Sequence, residues 1–282
     1  MLVGFDFGLT NTDVVISKSD ENQFYSFPTI EINNAFITYV FDTMNIEVSQ
    51  VSHIAVTGGK SSDLTDTFND IPIKKVNEVD AIGSGAMALY DIKNRPFVAV
   101  SAGTGTACVY FDGKKFNHLG GISVGGGTYQ GLLKHLIMTK DEDDIEKLAA
   151  SGDRKQLDLL IGDVVNEIGT LHPEVTASNF AKARNLENLS QNDIAASISN
   201  MIGEVIGTIS YLNALLCSES EVFFLGRVTL NDVIKSGVED RLKLANVKGL
   251  FKQNREYGNV LGALSHIQTC LLYTSPSPRD IG

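Results

Sequence analysis

The sequence contains one arrangement twice: an apolar strand, a short glycine-rich turn and a second strand. The first copy runs through Gly4-Phe5-Asp6-Phe7-Gly8-Leu9-Thr10-Asn11-Thr12, and the second turn is Gly103-Thr104-Gly105-Thr106. Glycine adopts backbone angles that other residues avoid, so both segments favour a tight turn between antiparallel strands. Each copy is followed by helical spacing, which predicts two α/β halves around one cleft. A length of 282 residues is sufficient for two such halves.

Apolar periodicity predicts the elements of each half. The first half is predicted to have strands at Leu2–Phe7, Asp13–Ser17, Gln23–Phe27, His53–Val56 and Ile71–Val76, and helices over 31–45 and Asp80–Leu89. The second half is predicted to have strands at Phe97–Ser101, Thr106–Phe111, Lys115–Leu119, Val222–Leu225 and Leu244–Phe251, a mainly helical region over 128–216, and a last helix at Gly258–Ile267. The helix over 191–216 is the best candidate for a dimer interface, but its isoleucine stripe is interpreted as core. We therefore expect lobes at 1–95 and 96–269.

The last residues break this pattern. Residues 270–282 contain a Ser-Pro-Ser-Pro run and resemble a translated sequencing adapter. We expect them to be a non-native tail and exclude them from the fold.

Composition argues against several classes of partner. The net charge is −11 and the pI is about 4.9, so the surface repels nucleic acids and anionic membranes. No apolar run reaches the roughly 18–20 residues of a membrane span, and the N-terminus lacks the basic region of a signal peptide. The three cysteines have no metal-like spacing, which favours reduced thiols in a cytoplasmic protein.

The glycine turns carry the candidate chemistry. Backbone N–H groups in such turns can bind phosphate oxygens, and Asp6, at the end of a strand, can hold hydrated Mg²⁺. Gly125-Gly126-Gly127-Thr128 opens a helix, whose N-terminus attracts anions, and Gly226 permits close approach of a ligand ring. Each turn alone equally fits a structural hairpin. The P-loop and Rossmann fingerprints are absent from the sequence.

Glu78 is the candidate general base, because it follows a strand and could face the cleft. From its position alone, however, the interpretation of Glu78 as a cap of the helix expected from Asp80 is favoured over that of a base. His118 and Arg227, judged alone, fit ordinary surface residues.

Taken in order, the motifs of the chain resemble those of the type II pantothenate kinases, within the acetate-kinase/sugar-kinase/Hsp70/actin superfamily. The similarity extends from about Val3 to Leu264. Its most specific segments are Thr57-Gly58-Gly59, Glu78-Val79-Asp80-Ala81, Gly103-Thr104-Gly105-Thr106, Tyr110-Phe111-Asp112-Gly113, Gly120-Gly121-Ile122-Ser123-Val124-Gly125-Gly126-Gly127, Gly152-Asp153-Arg154, Thr176-Ala177-Ser178-Asn179-Phe180 and Gly262-Ala263-Leu264.

This resemblance implies an α/β, two-lobed actin-like ATPase (ribonuclease H-like) fold with duplicated domains around a nucleotide cleft. It implies a cytoplasmic, homodimeric enzyme that phosphorylates the 4′-hydroxyl of pantothenate with ATP and Mg²⁺ in coenzyme A biosynthesis. Neither nucleic acid nor membrane is an expected partner.

The turns and the resemblance together predict the site residues. Glu78 is the predicted base and Asp6 the predicted metal ligand. The predicted nucleotide contacts are Gly8, Leu9, Thr10, Asn11, Thr12, Gly103, Thr104, Gly105, Gly126, Gly127, Thr128, Tyr129, Gln130, Gly226 and Arg227. The predicted contacts of the acceptor substrate are Glu78, Thr106, His118, Gly120 and Gly121.

Four positions depart from the family pattern, which has a glycine at Leu9, a lysine at Asp13, an arginine at His118 and a serine at Arg227. A carboxylate at position 13 reverses a charge beside the phosphates. We expect Asp13 to point away, to bind metal, or to be compensated by Lys60 or Arg227.

Three hypotheses therefore stand: a pantothenate kinase, a related kinase for another hydroxyl substrate such as an amino sugar, and a non-catalytic nucleotide-binding protein. A radical-enzyme activator is disfavoured, because the cysteines are spaced too far apart to hold an iron–sulfur cluster.

Overall fold

The computed structural model describes residues 1–18, 21–137, 142–165 and 172–274, with side chains except at 142–144 and 270–274. The strands are β1 (Leu2–Phe7), β2 (Asn11–Lys18), β3 (Glu21–Pro28), β4 (His53–Thr57), β5 (Thr67–Phe68), β6 (Ile71–Lys75), β7 (Phe97–Ala102), β8 (Thr106–Phe111), β9 (Phe116–Ile122), β10 (Leu159–Leu160), β11 (Thr176–Ser178), β12 (Glu221–Leu225) and β13 (Lys248–Leu250). The helices are α1 (Asn34–Thr43), α2 (Glu78–Tyr90), α3 (Gly126–Leu136), α4 (Glu142–Ser151), α5 (Ile161–Val164), α6 (Gln191–Leu216), α7 (Asp232–Leu244) and α8 (Gly258–Thr274). Of the predicted tail, residues 275–282 lie outside the described residues.

Two mixed sheets share one strand order. The first is β3-β2-β1-β4-β6-β5 and the second is β9-β8-β7-β12-β13. In each sheet, the first three strands of this order are antiparallel to their neighbours. The next two strands run parallel to the third: β4 and β6 are parallel to β1, and β12 and β13 are parallel to β7. The predicted duplication of an α/β unit is thus confirmed.

The helices are distributed over three layers around the sheets. Helix α1 covers the outer face of the first sheet, and α6 and α7 cover the outer face of the second. Helices α2 and α8 lie between the two sheets in a shared apolar core. Strand β1 shows how alternation assigns these faces: Val3, Phe5 and Phe7 join the outer core, whereas Gly4 faces α8.

Asparagine side chains start three of the helices. Asn33, Asn77 and Asn231 each accept a hydrogen bond from the backbone N–H three residues later, at the starts of α1, α2 and α7. Because Asn77 is the cap, α2 begins at Glu78 and not near Asp80. The interpretation of Glu78 as the cap was therefore wrong.

Two other predictions of secondary structure were incomplete. The region over 128–216 contains the short β10–β11 ladder as well as helices. The predicted strand Leu244–Phe251 is shorter, because Leu244 ends α7 and only Lys248–Leu250 pairs with β12.

The longest helix, α6, was predicted correctly over its whole length. Ile194, Ile198, Ile202 and Ile206 are buried along one stripe, in the core beneath the second sheet. Among the described helices, none is both long enough and apolar enough to cross a membrane.

Candidate functional site

A cavity of about 630 Å³ is lined by the loops that leave both sheets. Of the predicted nucleotide contacts, the structure places twelve at this cavity: Gly8, Leu9, Thr10, Asn11, Gly103, Thr104, Gly126, Gly127, Tyr129, Gln130, Gly226 and Arg227. Thr12, Gly105 and Thr128 do not line it. The two glycine turns, which lie far apart in sequence, therefore meet at one site.

The first turn is fixed by Thr29, which follows β3. The Thr29 hydroxyl donates to the Gly8 carbonyl over 2.8 Å, and its backbone N–H donates to the Thr10 carbonyl over 3.0 Å. A Cβ at Gly8 would lie 2.6 Å from the Asn11 carbonyl oxygen, so the turn requires glycine there. Thr12 is fully buried and contacts the Thr29 hydroxyl, which gives it a supporting position behind the turn.

The second turn and helix α3 form one unit. The N–H groups of Gly126 and Gly127 donate to the carbonyls of Gly103 (2.8 Å) and Thr104 (3.0 Å). A Cβ at Gly125 would lie 2.7 Å from the Gly103 carbonyl oxygen, so the glycine run lets the helix approach the turn. These two N–H groups at the start of α3 are therefore used to hold the turn, a role that the sequence did not reveal.

Asp6 lies near the end of β1, at the cavity wall. The pKa of Asp6 is raised from 3.8 to about 7: burial is the main cause, the charges of Asp13 and Glu78 add to it, and a hydrogen bond with the Asn259 side chain opposes it. The Thr-Gly-Gly motif makes room for this carboxyl, since a Cβ at Gly58 would lie 2.3 Å from Asp6 Oδ1. Asp6, Asn259 and Ser101 all line the cavity, and the Ser101 hydroxyl donates to Asn259 Oδ1 over 3.2 Å.

Replacing Asp6 with asparagine is expected to stabilise the metal-free protein more at pH 8 than at pH 5. Because the pKa of Asp6 is raised in the folded state, Asp6 does not change the free energy of unfolding below about pH 4, where it is protonated in both states. Between about pH 4 and pH 7 the unfolded chain loses this proton and the folded protein keeps it, so Asp6 lowers the free energy of unfolding progressively up to about pH 7. Melting temperatures of both proteins in chelator-containing buffer from pH 5 to 8 measure the effect.

Asp112→Asn serves as the control for that series. Backbone N–H groups of Lys115 and Lys114 lower the pKa of Asp112, so its contribution is constant from pH 5 to 8. A difference between wild type and Asp6→Asn that does not grow with pH would contradict the assigned shift.

Asp13 is compensated by Arg227, which was one of the three predicted outcomes. Arg227 Nη2 lies 2.6 Å from Asp13 Oδ1, and the Ser26 hydroxyl donates to the same oxygen. Burial nevertheless raises the pKa of Asp13 more than these two partners lower it. Lys60 forms no ion pair with any described residue.

Glu78 is the first residue of α2, and its side chain is exposed. It does not line the 630 Å³ cavity, but its charge contributes to the raised pKa of Asp6. The charge of the predicted base thus acts on the predicted metal ligand.

The other predicted acceptor contacts lie on β8 and β9, outside the cavity. Thr106 is buried and donates to the Val124 carbonyl over 2.8 Å. His118 is exposed beside a β-bulge, where Gly120 has a φ of 97°. A Cβ at Gly121 would lie 2.2 Å from the Thr106 carbonyl oxygen. Thr106 and Gly121 thus have clear packing roles.

The end of the cavity away from the glycine turns is apolar, and the sequence did not predict it. Its apolar lining comes from α3 (Leu133), α4 (Ile145), the helical turn Val228–Leu230 and the first turn of α7 (Ile234). Glu146, Lys134 and Asn231 add polar groups there. Only the packing of four separate segments creates this surface, so no local motif could indicate it.

The duplicated sheets and the cleft that their turns line define the two-lobed, actin-like ATPase fold. Solved structures with this fold include the activator of 2-hydroxyisocaproyl-CoA dehydratase from Clostridium difficile with bound ADPNP (TM-score 0.65, 15% identity, 98% of both chains). A ROK family glucokinase from Streptomyces griseus in complex with glucose and AMPPNP is also similar (TM-score 0.56, 11% identity, 93% of this chain and 97% of that chain).

The chain belongs to the Fumble family, which it matches over residues 10–237. It is 30% identical over 276 residues to a "Type II pantothenate kinase" of Bacillus thuringiensis subsp. konkukian, covering 94% of this chain and 96% of the relative. The relative of the same name from Staphylococcus epidermidis is also 30% identical, over 272 residues. These similarities identify the chain as an ATP-dependent kinase.

Proposed function

We propose that this kinase transfers the γ-phosphoryl group of MgATP to the 4′-hydroxyl of pantothenate. The observation that carries the proposal is that residues of both glycine turns line one cleft with Asp6, and that the charge of Glu78 acts on Asp6. The names of the relatives supply the acceptor. We also propose that residues 1–95 and 96–269 form the two lobes, with α8 packed between their sheets.

The nucleotide is proposed to lie along the 630 Å³ cavity. Its phosphates face the two turns and Arg227, and its base lies against the apolar end near Leu133 and Ile234. Gly226 has a φ of 89°, and a Cβ there would lie 2.3 Å from the Ala102 carbonyl oxygen. This glycine brings β12 close to the second turn and so shapes the middle of the cavity.

Mg²⁺ is proposed to be held by Asp6 together with water and the phosphates. The described residues contain no group of three His, Cys, Asp or Glu side chains that could hold a metal without the nucleotide. One carboxylate fits Mg²⁺, which keeps several waters in nucleotide sites. When bound, the ion neutralises phosphate charge, and it favours the ionised form of Asp6.

The acceptor is proposed to lie between α2 and β9. Phe116 of β9 packs against α2 so closely that a Cβ at Gly83 would lie 2.2 Å from the Phe116 ring. Glu78 begins that helix, and His118 lies two residues beyond Phe116. In this position Glu78 accepts the hydroxyl proton of the substrate, and His118, which alternation places on the same face of β9 as Phe116, contacts the substrate.

The protein is further proposed to be a cytoplasmic homodimer. Helix α6 carries exposed Leu212, Leu215 and Leu216 near its C-terminal end, with exposed fractions of 50%, 54% and 76%. Three leucines on one helix form an apolar surface that a second copy could cover. Sedimentation equilibrium of the wild type and of Leu212→Glu tests this assembly.

A coupled ADP-release assay with pantothenate and MgATP tests the proposed reaction. We expect pantothenate-dependent turnover that requires Mg²⁺. ADP release at the same rate with and without pantothenate from folded protein would contradict the proposal.

The second candidate is a kinase for another hydroxyl substrate, such as an amino sugar. The exposed His118 favours it, because an imidazole lacks the two-pronged fork with which an arginine binds a carboxylate such as that of pantothenate. A panel containing pantothenate and amino sugars separates the two candidates. The case for a non-catalytic protein is weaker than the sequence indicated, since Arg227 compensates Asp13.

A further inference from the structure

Arg227 crosses the cleft from the second sheet to the first. It follows β12, and its Nη2 lies 2.6 Å from both Asp13 Oδ1 and Ser26 Oγ. Asp13 and Ser26 are direct partners in the β2–β3 ladder, and the Ser26 hydroxyl donates to the Asp13 carboxylate. The guanidinium is thus held at two points by two neighbouring strands.

Part of this guanidinium remains available. The side chain lines the cavity and is 40% exposed, whereas Asp13 is 12% exposed. Within the described part of the chain, Nε and Nη1 form no hydrogen bond. A guanidinium has five N–H donors in a planar fork, and the two on Nη2 satisfy both contacts, which leaves three for a ligand.

The cleft has few other cations for a nucleotide that carries several negative charges. Its described lining includes four acids, Asp6, Asp13, Glu146 and Glu256, and two bases, Lys134 and Arg227. Lys134 lies on α3, which also supplies Leu133 at the apolar end. Arg227 is therefore the cation at the end where the glycine turns meet.

We propose that Asp13 is a positioning residue for nucleotide binding: together with Ser26 it holds the Arg227 guanidinium so that its remaining N–H groups bind the phosphates. The inference rests on the proposed MgATP site. Ordering a long side chain before the ligand arrives removes part of the entropic cost of binding. Arginine suits this role because its fork can contact a carboxylate and a phosphate at once.

The opposite role for Asp13 makes a different prediction. If the carboxylate only repelled phosphate or competed for Arg227, its removal would tighten nucleotide binding. The sign of the change in affinity therefore distinguishes positioning from competition.

A double-mutant cycle on the dissociation constant of MgATP, measured by calorimetry, tests the proposal. Arg227→Ser is expected to weaken binding at least about tenfold, and Asp13→Ala about three- to tenfold. The double variant should bind within about twofold of Arg227→Ser alone, because Asp13 acts through Arg227. Affinity for adenosine, which lacks phosphates, should not change in any variant.

Arg95→Ser is the matched control, because Arg95 forms a comparable pair with Glu221 (2.9 Å) away from the cavity. It should leave the MgATP affinity unchanged. If Asp13→Ala does not fold, Asp13→Asn removes the charge while keeping the side-chain shape, and weaker binding is again expected. Tighter or unchanged binding in the folded Asp13 variant, or additive losses in the double variant, would overturn the inference. Failure of the wild type to bind MgATP would instead overturn the proposed function.

Discussion

Replacing Glu78 with glutamine is expected to reduce pantothenate phosphorylation by about 10²–10⁴-fold, which is the usual contribution of a general base. Glutamine keeps the size of the side chain but cannot accept the hydroxyl proton. MgATP binding should stay within about twofold of wild type, because Glu78 does not line the nucleotide cavity. Steady-state kinetics with calorimetry on the same preparations separate the two effects.

Asp80→Asn is the matched control for Glu78→Gln. Asp80 lies in the same first turn of α2, and its carboxylate accepts a hydrogen bond from the Asn77 amide over 2.6 Å. An asparagine at this position retains an acceptor oxygen, so turnover should change by less than about threefold. Full activity of Glu78→Gln would remove Glu78 from the mechanism.

Replacing Gly262 with alanine is expected to give the largest loss of stability for a single added methyl group. Helices α2 and α8 cross so closely that a Cβ at Gly262 would lie 1.8 Å from the Ala81 carbonyl oxygen and 2.5 Å from the Gly85 nitrogen. The backbone must move to accept it, at a cost of about 1–3 kcal/mol or more. Thermal unfolding should show a melting temperature lowered by several degrees.

Gly131→Ala is the control for this effect of packing. Gly131 lies within α3, and an added Cβ would meet no atom within 4 Å. Alanine is favoured over glycine in a helix, so this change should leave the melting temperature equal or raise it. A Gly262→Ala protein as stable as wild type would contradict the close crossing of α2 and α8.

The crossing also connects stability with the site. Helix α2 begins with Glu78, and α8 carries Asn259 in its first turn. A displacement of these helices would therefore move two groups that surround Asp6. We expect Gly262→Ala to lose turnover as well as stability.

Local signals predicted most strands and the longest helix. Strand β1 alternates between two cores, and α6 repeats isoleucine every four residues, so each pattern matched its element. Helix α7 was missed because its apolar stripe is sparse, with Ile234, Val238 and Leu242 buried among charged residues. The start of α2 was misplaced because the capping role of Asn77 was not recognised.

The site was predicted less completely, because much of it depends on contacts distant in sequence. Asp13 and Arg227 are 214 residues apart, and only the folded chain shows which of the predicted cations pairs with Asp13. Asn259 and Ser101 had no motif of their own, yet they line the cleft beside Asp6. Conversely, the sequence did indicate the two turns, since a glycine-rich turn is a local requirement of the backbone.

The most direct test of the proposed function is identification of the product formed from pantothenate and MgATP by the wild-type protein. Phosphorus NMR and mass spectrometry should show one phosphoryl group on the 4′-hydroxyl of pantothenate, formed in step with ADP. The signal should be lost in Glu78→Gln and kept in Asp80→Asn. ATP consumption without phosphopantothenate, or transfer only to an amino sugar in a mixed-substrate reaction, would contradict the account.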